Sequence, residues 1–182
     1  MADLTTLANV KAWMGLKTAD DDALLSRLIT AVSAYIETWT NRTFAQQTYD
    51  EVRDGTGCAR MMFADFPVTA VSSVVVDGRA IPLAVAAGDQ GYRFDTTGVV
   101  LAGYVFTRGV GNVQLSYTAG YATTPPDIEQ ACIELVSLRY KERDRIGHQS
   151  KSLAGETVSF MIRDFPDSVR TILGNYRKVL PL

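Results

Sequence analysis

The sequence contains very little of the chemistry on which most enzymes depend. Its 182 residues include one histidine, His148, and two cysteines, Cys58 and Cys132, which lie far apart in the chain. Zinc sites and activated nucleophiles need such side chains in convergent groups. The Gly-x-Ser-x-Gly motif of many hydrolases and the glycine-rich P-loop of nucleotide-hydrolysing enzymes are absent as well. We therefore expect no catalysis, no metal and no cofactor.

Long apolar runs are also absent. No stretch approaches the roughly 20 apolar residues that a membrane helix needs. The first residues, Met1-Ala-Asp-Leu-Thr5, have neither the basic start nor the apolar segment of an export signal. The sequence therefore predicts a protein made in the cytoplasm, with two reduced thiols and no membrane contact. With 47% hydrophobic and 21% charged residues, the composition is that of an ordinary globular protein with a core.

Three polar clusters resemble functional motifs but are better explained by local structure. Asp20–Asp22 lacks the spaced oxygen ligands and the glycine bend of a calcium loop, so helix N-capping is the simpler interpretation. Gly55–Gly57 lacks the third glycine of a dinucleotide-binding fingerprint and predicts a turn. Glu51, Asp54 and Asp65 could form a carboxylate pair, but acidic residues at strand ends are usually solvated.

Helical periodicity marks both ends of the chain. Apolar side chains recur there at three- and four-residue spacing, as expected for helices that bury one face. The predicted helices span residues 4–14, 21–40 and 124–145, and a last helix opens at Pro166-Asp167 with Val169, Ile172, Leu173 and Tyr176 on its apolar face.

Capping residues support these boundaries. Gly15 suits the left-handed conformation that ends a helix. Thr123 or Thr124 can cap the third helix ahead of two prolines, which are well tolerated in a first turn. Trp13 and Trp39 lie on the apolar faces of their helices, so core packing is expected for both.

Between residues 44 and 121 the apolar period changes to two, which is typical of strands. Glycine-containing turns divide this part into six to eight short strands, of which Tyr104–Phe106 is one. Asp77-Gly78 is a strong signal for a hairpin whose second strand runs from Arg79 to Leu83. Further along, residues 147–152 and 154–156 have loop-like composition, and residues 157–162 can form a strand.

The order of helices, strands and helices predicts an α+β fold. Two long helices, with short N- and C-terminal helices, form a helical core into which a small antiparallel β-sandwich or open barrel is inserted. We expect a single domain over residues 1–182, with helical parts 1–43 and 124–182 and the β insertion at 44–121.

Charge is distributed unevenly along the chain. Residues 1–138 carry 9 basic and 15 acidic side chains, whereas residues 139–182 carry 9 basic and 5 acidic ones. Parts of opposite sign suit head-to-tail assembly or an acidic partner, although basic residues near helix C-termini explain the same pattern. The basic side chains of the later part could also contact phosphates, but Glu142 and Asp144 are interleaved with them and no aromatic platform accompanies them.

Several stretches, taken in their order and spacing, carry a resemblance to a known family. They are Leu24–Ile29, Ala34–Glu37, Trp39–Phe44, Pro67-Val68, Val71–Val74, Asp77-Gly78, Val113–Tyr121, Pro126–Ile128 and Leu135–Arg143. Together they cover most of the chain. The sequence resembles the head–tail connector proteins, also called adaptor or head-completion proteins, of tailed bacteriophages, prophages and gene transfer agents.

The resemblance implies structural work and no reaction. Such proteins form a homo-oligomeric ring, of twelve subunits on the virion, beneath the portal protein. The ring extends the DNA channel, close to packaged DNA, and provides the platform for the stopper or tail-completion protein. The implied location is the neck of the virion, at the head–tail interface.

Two groups of residues are the candidate contacts under this resemblance. Apolar residues beyond the last helix would be unusual on a free surface and suit a docking groove. The group expected to dock on the portal comprises Tyr176, Arg177, Lys178, Val179, Leu180 and Leu182. The group expected to face the lumen or a neighbouring subunit comprises Arg139, Lys141, Arg143, Arg145, His148 and Lys151.

Three other functions remain open. A different neck or tail-completion protein is the nearest alternative within the resemblance. A small nucleic-acid-binding module would bind duplex DNA with an affinity that falls steeply with salt. A small enzyme would need a concave site with perturbed titratable groups, against which the single histidine argues.

Overall fold

The computed structural model describes residues 2–143, 150–153, 156–159 and 165–178. These residues form helices and antiparallel sheets, which confirms the predicted α+β class. The chain divides into two compact units. We call Met1–Arg42 with Thr124–Leu182 the helical unit, and Thr43–Thr123 the β unit. The expectation of one domain over residues 1–182 stays a prediction.

The helical unit buries one apolar face of each of its helices. These are α1 (Leu7–Met14), α2 (Asp22–Thr40), α3 (Pro126–Glu142) and α4 (Asp167–Tyr176). Residues three and four apart are buried together, for example Leu25, Ile29 and Val32 in α2. In α4, Val169 and Leu173 are buried and the other two predicted apolar residues are half-buried. The periodicity of the sequence therefore identified the helices and their buried faces.

The first helix is shorter than predicted, because a threonine caps it. Thr6 accepts a hydrogen bond from the N–H of Asn9 at 3.3 Å, so α1 begins at Leu7 instead of Leu4. Leu4 precedes the helix and is still buried, and its N–H donates to Ser33 Oγ at 3.0 Å. The predicted end is confirmed, since Gly15 has a φ of 70°.

The predicted N-cap of α2 is confirmed in position only, and the predicted N-cap of α3 is wrong. Asp21 occupies the N-cap position of α2, but its side chain makes no capping hydrogen bond and instead accepts one from the Tyr140 hydroxyl. At the start of α3 the N-cap is Pro125, not Thr123 or Thr124. Its ring fixes φ at −55°, which directs the chain into the helix without a side-chain acceptor.

Neither tryptophan is a core residue, in contrast to the prediction. Trp13 is 57% exposed, because the short α1 buries only Val10 and leaves its other faces to solvent. Trp39 is half-buried and contacts Phe165 and Arg177 at the surface of the helical unit.

The β unit contains seven strands in two sheets. They are β1 (Gln47–Gly55), β2 (Arg60–Met62), β3 (Val68–Val76), β4 (Arg79–Ala80), β5 (Gly91–Phe94), β6 (Gly98–Ala102) and β7 (Gly109–Ala119). The four-stranded sheet has the order β1-β7-β3-β4, and the three-stranded sheet has the order β2-β6-β5. Side chains of both sheets line one hydrophobic core, including Met61, Val99 and Leu101 of one sheet and Val74, Leu115 and Tyr117 of the other.

The hairpin at Asp77-Gly78 is confirmed. Both residues have positive φ, 50° and 75°, as a two-residue turn between twisted antiparallel strands requires. Its second strand, β4, ends at Ala80 rather than at Leu83. The predicted strand at Tyr104–Phe106 is wrong: buried Phe106 is held by two backbone hydrogen bonds, to Gly57 and Cys58, and these do not continue into a ladder.

The chain after α3 also differs in part from the prediction. Strand β8 (Ser150–Leu153) pairs with β9 (Glu156–Ser159) in a two-stranded antiparallel sheet. Residues 150–152 were predicted as a loop because serine and lysine are common in loops, yet they belong to β8. The strand predicted at 157–162 begins one residue earlier, and its residues 160–162 lie outside the described part of the chain.

A buried tyrosine, Tyr117, makes hydrogen bonds and ring contacts in the core of the β unit. The Tyr117 hydroxyl donates a hydrogen bond to the Glu51 carboxylate and accepts one from the N–H of Asp65 at 3.2 Å. Its ring lies 5.4 Å from that of Tyr49 and 4.5 Å from that of Phe63. Burial, and then the hydrogen bond to Glu51, raise the pKa of Tyr117 well above its ordinary value. Glu51 is therefore a structural partner of Tyr117 and not the solvated carboxylate that the sequence predicted.

Replacing Tyr117 by Phe is expected to make the free energy of unfolding less sensitive to alkaline pH. Because the pKa of Tyr117 is raised by folding, the unfolded chain loses this proton first, at about pH 10. The contribution of Tyr117 to stability is therefore present below that pH and is lost as pH rises further. Y117F should show a shallower decline of the free energy of unfolding above about pH 10, measured by urea unfolding. At neutral pH it should be less stable by about 1–3 kcal/mol, because Glu51 loses its donor.

Tyr104→Phe is the matched control. Tyr104 packs against the same core, and within the described residues its hydroxyl has no hydrogen bond. Y104F should leave the stability at neutral pH nearly unchanged. Equal slopes with pH for Y117F and the parent protein would contradict the role given to Tyr117.

Candidate partner-docking sites of the helical unit

The segment that follows α4 is fixed to the C-terminal end of α2. The N–H of Lys178 donates to the carbonyl of Thr40 at 2.8 Å. That carbonyl is one of those a helix leaves unpaired in its last turn, so the contact caps α2. The Arg42 guanidinium donates to the carbonyl of Tyr176 at 3.4 Å. The backbone of residues 176–178 is therefore held at two points.

A side-chain contact ties the same segment to the start of α3. The Tyr176 hydroxyl lies 2.9 Å from both carboxylate oxygens of Asp127. Asp127 is in the first turn of α3, where the helix dipole stabilises a negative charge. We call Thr40, Arg42 and Asp127, together with residues 176–178, the C-terminal anchor.

An aromatic cluster lies beside the C-terminal anchor. The Arg177 guanidinium lies 5.2 Å from the ring centroid of Trp39, a distance at which the cation is attracted to the ring face. Trp39 meets the edge of Phe165 at 5.5 Å, and Phe165 stacks on Tyr35 at 5.0 Å. The half-buried tryptophan therefore provides an aromatic surface for the first basic residue after α4.

The structure places only part of the predicted docking group. Tyr176, Arg177 and Lys178 belong to the C-terminal anchor. Val179, Leu180 and Leu182 lie outside the described residues. The structure thus shows how the segment starts, and the role of its apolar residues stays a prediction.

Three members of the basic group, Arg139, Lys141 and Arg143, lie at the C-terminal end of α3. Arg139 and Lys141 are exposed, and within the described residues neither forms an ion pair. Arg143 donates to the carbonyl of Tyr140 at 2.8 Å, and its guanidinium lies 4.0 Å from the Tyr140 ring centroid. Lys151 lies in β8, whereas Arg145 and His148 are outside the described residues.

Acidic residues of the same subunit lie next to this basic group. The hydroxyl of Tyr140 donates to Asp21, and this hydrogen bond is the main reason why the pKa of Tyr140 is raised. Asp22 forms an ion pair with Lys11 at 2.6 Å. The acidic start of α2 and the basic end of α3 therefore meet, and each suits the dipole of its own helix.

The C-terminal anchor and the basic residues at the end of α3 lie at opposite ends of the helix pair. The C-terminal anchor joins the end of α2 to the start of α3, whereas the Tyr140–Asp21 contact joins the end of α3 to the start of α2. Helix α2 has 19 residues, which corresponds to a length of roughly 28 Å. A partner at one end is therefore well separated from a partner at the other.

The described residues contain no arrangement that suggests a catalytic or metal site. Within them, no group of three or more His, Cys, Asp or Glu side chains could hold a metal ion. Burial raises the pKa of the Cys132 thiol to about 11, so it is protonated at neutral pH and a poor nucleophile. Cys58 is exposed, and neither cysteine forms a disulfide. No helix of the described part is long and apolar enough to span a bilayer.

Comparison with protein families decides the affiliation of the chain. The profile described as "Head completion protein" matches residues 3–179, which is nearly the whole sequence. The chain belongs to the head completion protein family. The family-level resemblance inferred from the sequence is therefore confirmed.

Solved structures with a similar fold come from particles of a gene transfer agent (GTA). Their titles are "Neck of empty GTA particle computed with C6 symmetry", "Virion of native gene transfer agent (GTA) particle" and "Neck of native GTA particle computed with C12 symmetry". The TM-scores are 0.59, 0.57 and 0.57, and the sequence identities are 20%, 22% and 20%. Each alignment covers 97% of this chain and 90% of the matched chain. At these identities the similarity establishes a common fold. No curated protein matches the sequence.

The anchor of this head completion protein can be tested with a double-mutant cycle. Tyr176→Phe should lower the free energy of unfolding by about 1 kcal/mol, because the Asp127 carboxylate loses a donor. Asp127→Ala should also destabilise, and the double variant should lose less than the sum of the two single losses. Chemical denaturation of the four proteins measures the coupling.

The cycle separates this contact from other effects of Asp127. Its charge at the start of α3 is lost in D127A whether or not Tyr176 carries a hydroxyl, so that loss cancels in the coupling. A coupling close to zero would mean that the contact between Tyr176 and Asp127 does not hold the segment.

Proposed function

We propose that this head completion protein is a structural protein of the neck of a phage or phage-like particle. The observation that carries the proposal is the family match over residues 3–179. The GTA chains that share its fold come from a virion and from particle necks, which supports the same location. In this role the protein lies beneath the portal, extends the DNA channel and provides the platform for the stopper and the tail. It acts as one connector domain and catalyses no reaction.

A ring of identical subunits is the expected assembly. The GTA necks were computed with sixfold and twelvefold symmetry, which supports a ring of twelve copies for a protein in the same position. A cyclic ring joins two different surfaces of neighbouring subunits, so each subunit must carry two complementary faces. Binding to the portal can also supply the template for assembly, and a free monomer is compatible with a ring on the particle.

The C-terminal segment is the proposed contact with the portal. Residues 176–178 are held by the C-terminal anchor, so the segment starts from a fixed point on the helical unit. The residues that follow include Val179, Leu180 and Leu182, whose apolar side chains would gain from burial in a groove of the portal.

The basic group, whose members Arg139, Lys141 and Arg143 lie at the other end of the helix pair, is proposed to face the lumen or a neighbouring subunit. Arg139 and Lys141 are exposed and available for such contacts, whereas Arg143 is held against Tyr140. The channel of a neck contains DNA during packaging and ejection, and exposed basic side chains interact with phosphates without sequence preference. Arg145, His148 and Lys151 complete the proposed group.

A different position in the neck is the remaining alternative, because the name of the family does not specify a position. A tail-completion protein would leave the portal contact to another protein. The particle phenotype distinguishes the two, since loss of a portal-bound ring exposes the portal exit.

Deleting the gene from the parent phage or prophage should yield heads without tails. Such heads should retain packaged DNA poorly, because the portal exit is left open. Negative-stain electron microscopy and nuclease-protection assays of the particles measure both effects. Supplying the intact gene in trans should restore tailed particles. Normal tailed particles from the deletion strain would show that the protein is not a neck component.

Replacing Leu180 and Leu182 by Asp should abolish tail attachment while the protein still folds. Two charges in place of apolar side chains would oppose burial in the portal. Particles complemented with this variant are counted for attached tails. Ser168→Asp with Asn175→Asp is the matched control, because it adds the same charge at exposed positions of α4. Equal numbers of tails for both variants would refute the docking role of the C-terminal segment.

A further inference from the structure

Exposed apolar side chains are concentrated in the β unit. Among the described residues, ten large apolar side chains are exposed, and all but Trp13 belong to this unit. They are Val52, Met62, Phe66, Leu83, Val85, Phe94, Val100, Val105 and Val110. Single exposed residues need no explanation, but groups that share a sheet face indicate an interaction surface.

One such group lies on the outer face of the four-stranded sheet. Asp50 pairs with Ser116 and Val52 with Gln114 in the β1–β7 register, whereas the intervening Leu115 points into the core. Val52 is 68% exposed, and Val110 at the nearby end of β7 is 92% exposed. Asp54 lies at the same end. We call Asp50, Val52, Asp54 and Val110 the acidic face.

The two carboxylates of the acidic face are held by neutral hydrogen-bond donors. Asp50 accepts a hydrogen bond from Ser116 Oγ at 2.6 Å, and Asp54 accepts one from the N–H of Gly111 at 2.6 Å. Within the described residues neither carboxylate forms a salt bridge. The other outward positions of β1, β3 and β7 are uncharged: Thr48, Ala70, Ser73, Val75, Gln114, Ser116 and Thr118.

A second group lies on the outer face of the three-stranded sheet. Arg60, Val100 and Arg93 form one row across β2, β6 and β5, and the neighbouring Val99 points into the core. Met62 is 50% exposed and Val100 is 37% exposed. We call Arg60, Met62, Arg93 and Val100 the arginine face.

In the described part of the chain, one of the two arginines of the arginine face forms an ion pair and the other does not. Arg60 forms an exposed ion pair with Asp95 at 2.8 Å. Arg93 donates to the carbonyl of Ala86, which is neutral, and it has no salt bridge in the part of the chain that the structure describes. The two faces therefore combine apolar side chains with charges of opposite sign.

The two faces point in opposite directions. The sheets that carry them share one core, so their outer faces are directed away from each other. They cannot meet within one subunit, but they can meet between two copies placed head to tail. A ring needs this type of heterologous contact.

We infer that the acidic face of one β unit binds the arginine face of the β unit of the next copy, and that this contact closes the ring. The inference rests on the ring of the proposed function. Val52 and Val110 bury apolar area against Met62 and Val100, which supplies the attraction. Asp50 and Arg93 set the orientation, because contact between two acidic faces, or between two arginine faces, would bring like charges together.

Site-specific cross-linking in assembled particles tests the contact directly. In a Cys58→Ser background, which removes the exposed native thiol, Val52→Cys and Val100→Cys are introduced into the same chain. A short bis-maleimide should then join successive subunits into a ladder of covalent multimers on denaturing gels. Each single variant alone should give only monomer, and particles assembled from a mixture of the two should give dimers and no larger species.

Charge exchange provides an independent test. Arg93→Glu and Asp50→Arg should each lower the number of copies incorporated per particle by at least about tenfold, because like charges would face each other. Combining both changes in one chain should restore incorporation to within about threefold of the parent protein. Arg27→Glu on the exposed face of α2 is the control for the change in net charge and should assemble normally.

The outcomes separate this inference from the proposed function. If particles with a normal neck give no ladder, or if they incorporate the Arg93→Glu variant normally, the proposed contact between β units is wrong. The proposed role in the neck is not affected by either result. Cross-linking of Val52→Cys to itself would also overturn the contact, because the acidic faces would then meet each other. Absence of the chain from the neck would overturn the proposed function itself.

Discussion

Antiparallel packing of α2 against α3 determines where both candidate sites of the helical unit lie. The start of α2 meets the end of α3 through Asp21 and Tyr140, and Ser33 contacts Cys132 between the two ends. At the other end, the segment after α4 caps α2 and binds the first turn of α3. Because antiparallel helices place opposite dipole ends side by side, the acidic and basic residues of the sequence gather where each dipole favours them.

The β unit shows a comparable separation of surfaces. Two sheets built on one core present two outer faces, which differ in charge and carry exposed valine and methionine side chains. In the proposed ring, a subunit with this construction would contact two neighbours through its β unit and leave the C-terminal segment of the helical unit for a different partner. Such a division of contacts suits a protein whose work is to connect other proteins, and it requires no catalytic chemistry.

The sequence predicted those parts of the fold that depend on local patterns. The stripe of apolar residues in α2 and the Asp77-Gly78 turn each depend on neighbours within a few positions, so both were identified. The sequence predicted a sandwich or an open barrel but not which strands share a sheet, because β1 pairs with β7, near the other end of the β unit, rather than with β2. Glu51 was taken for a solvated carboxylate for the same reason, since its partner Tyr117 lies 66 residues away.

The candidate site was predicted only in outline. Residues 176–178 were named from the apolar residues that follow them, but nothing local to that segment indicates Arg42 or Asp127 as its partners. Trp39 was assigned to the core because its helix face is apolar, and only the packing of Phe165 and Arg177 shows that it lies at the surface. Long-range pairing, which a single sequence does not display, accounts for these omissions.

A reconstruction of the parent particle by cryo-electron microscopy, at a resolution that traces side chains, would test the central claim most directly. Our account predicts a ring of this chain at the neck, with residues 179–182 in contact with the portal. Density in which the neck contains no copy of the chain would contradict the account.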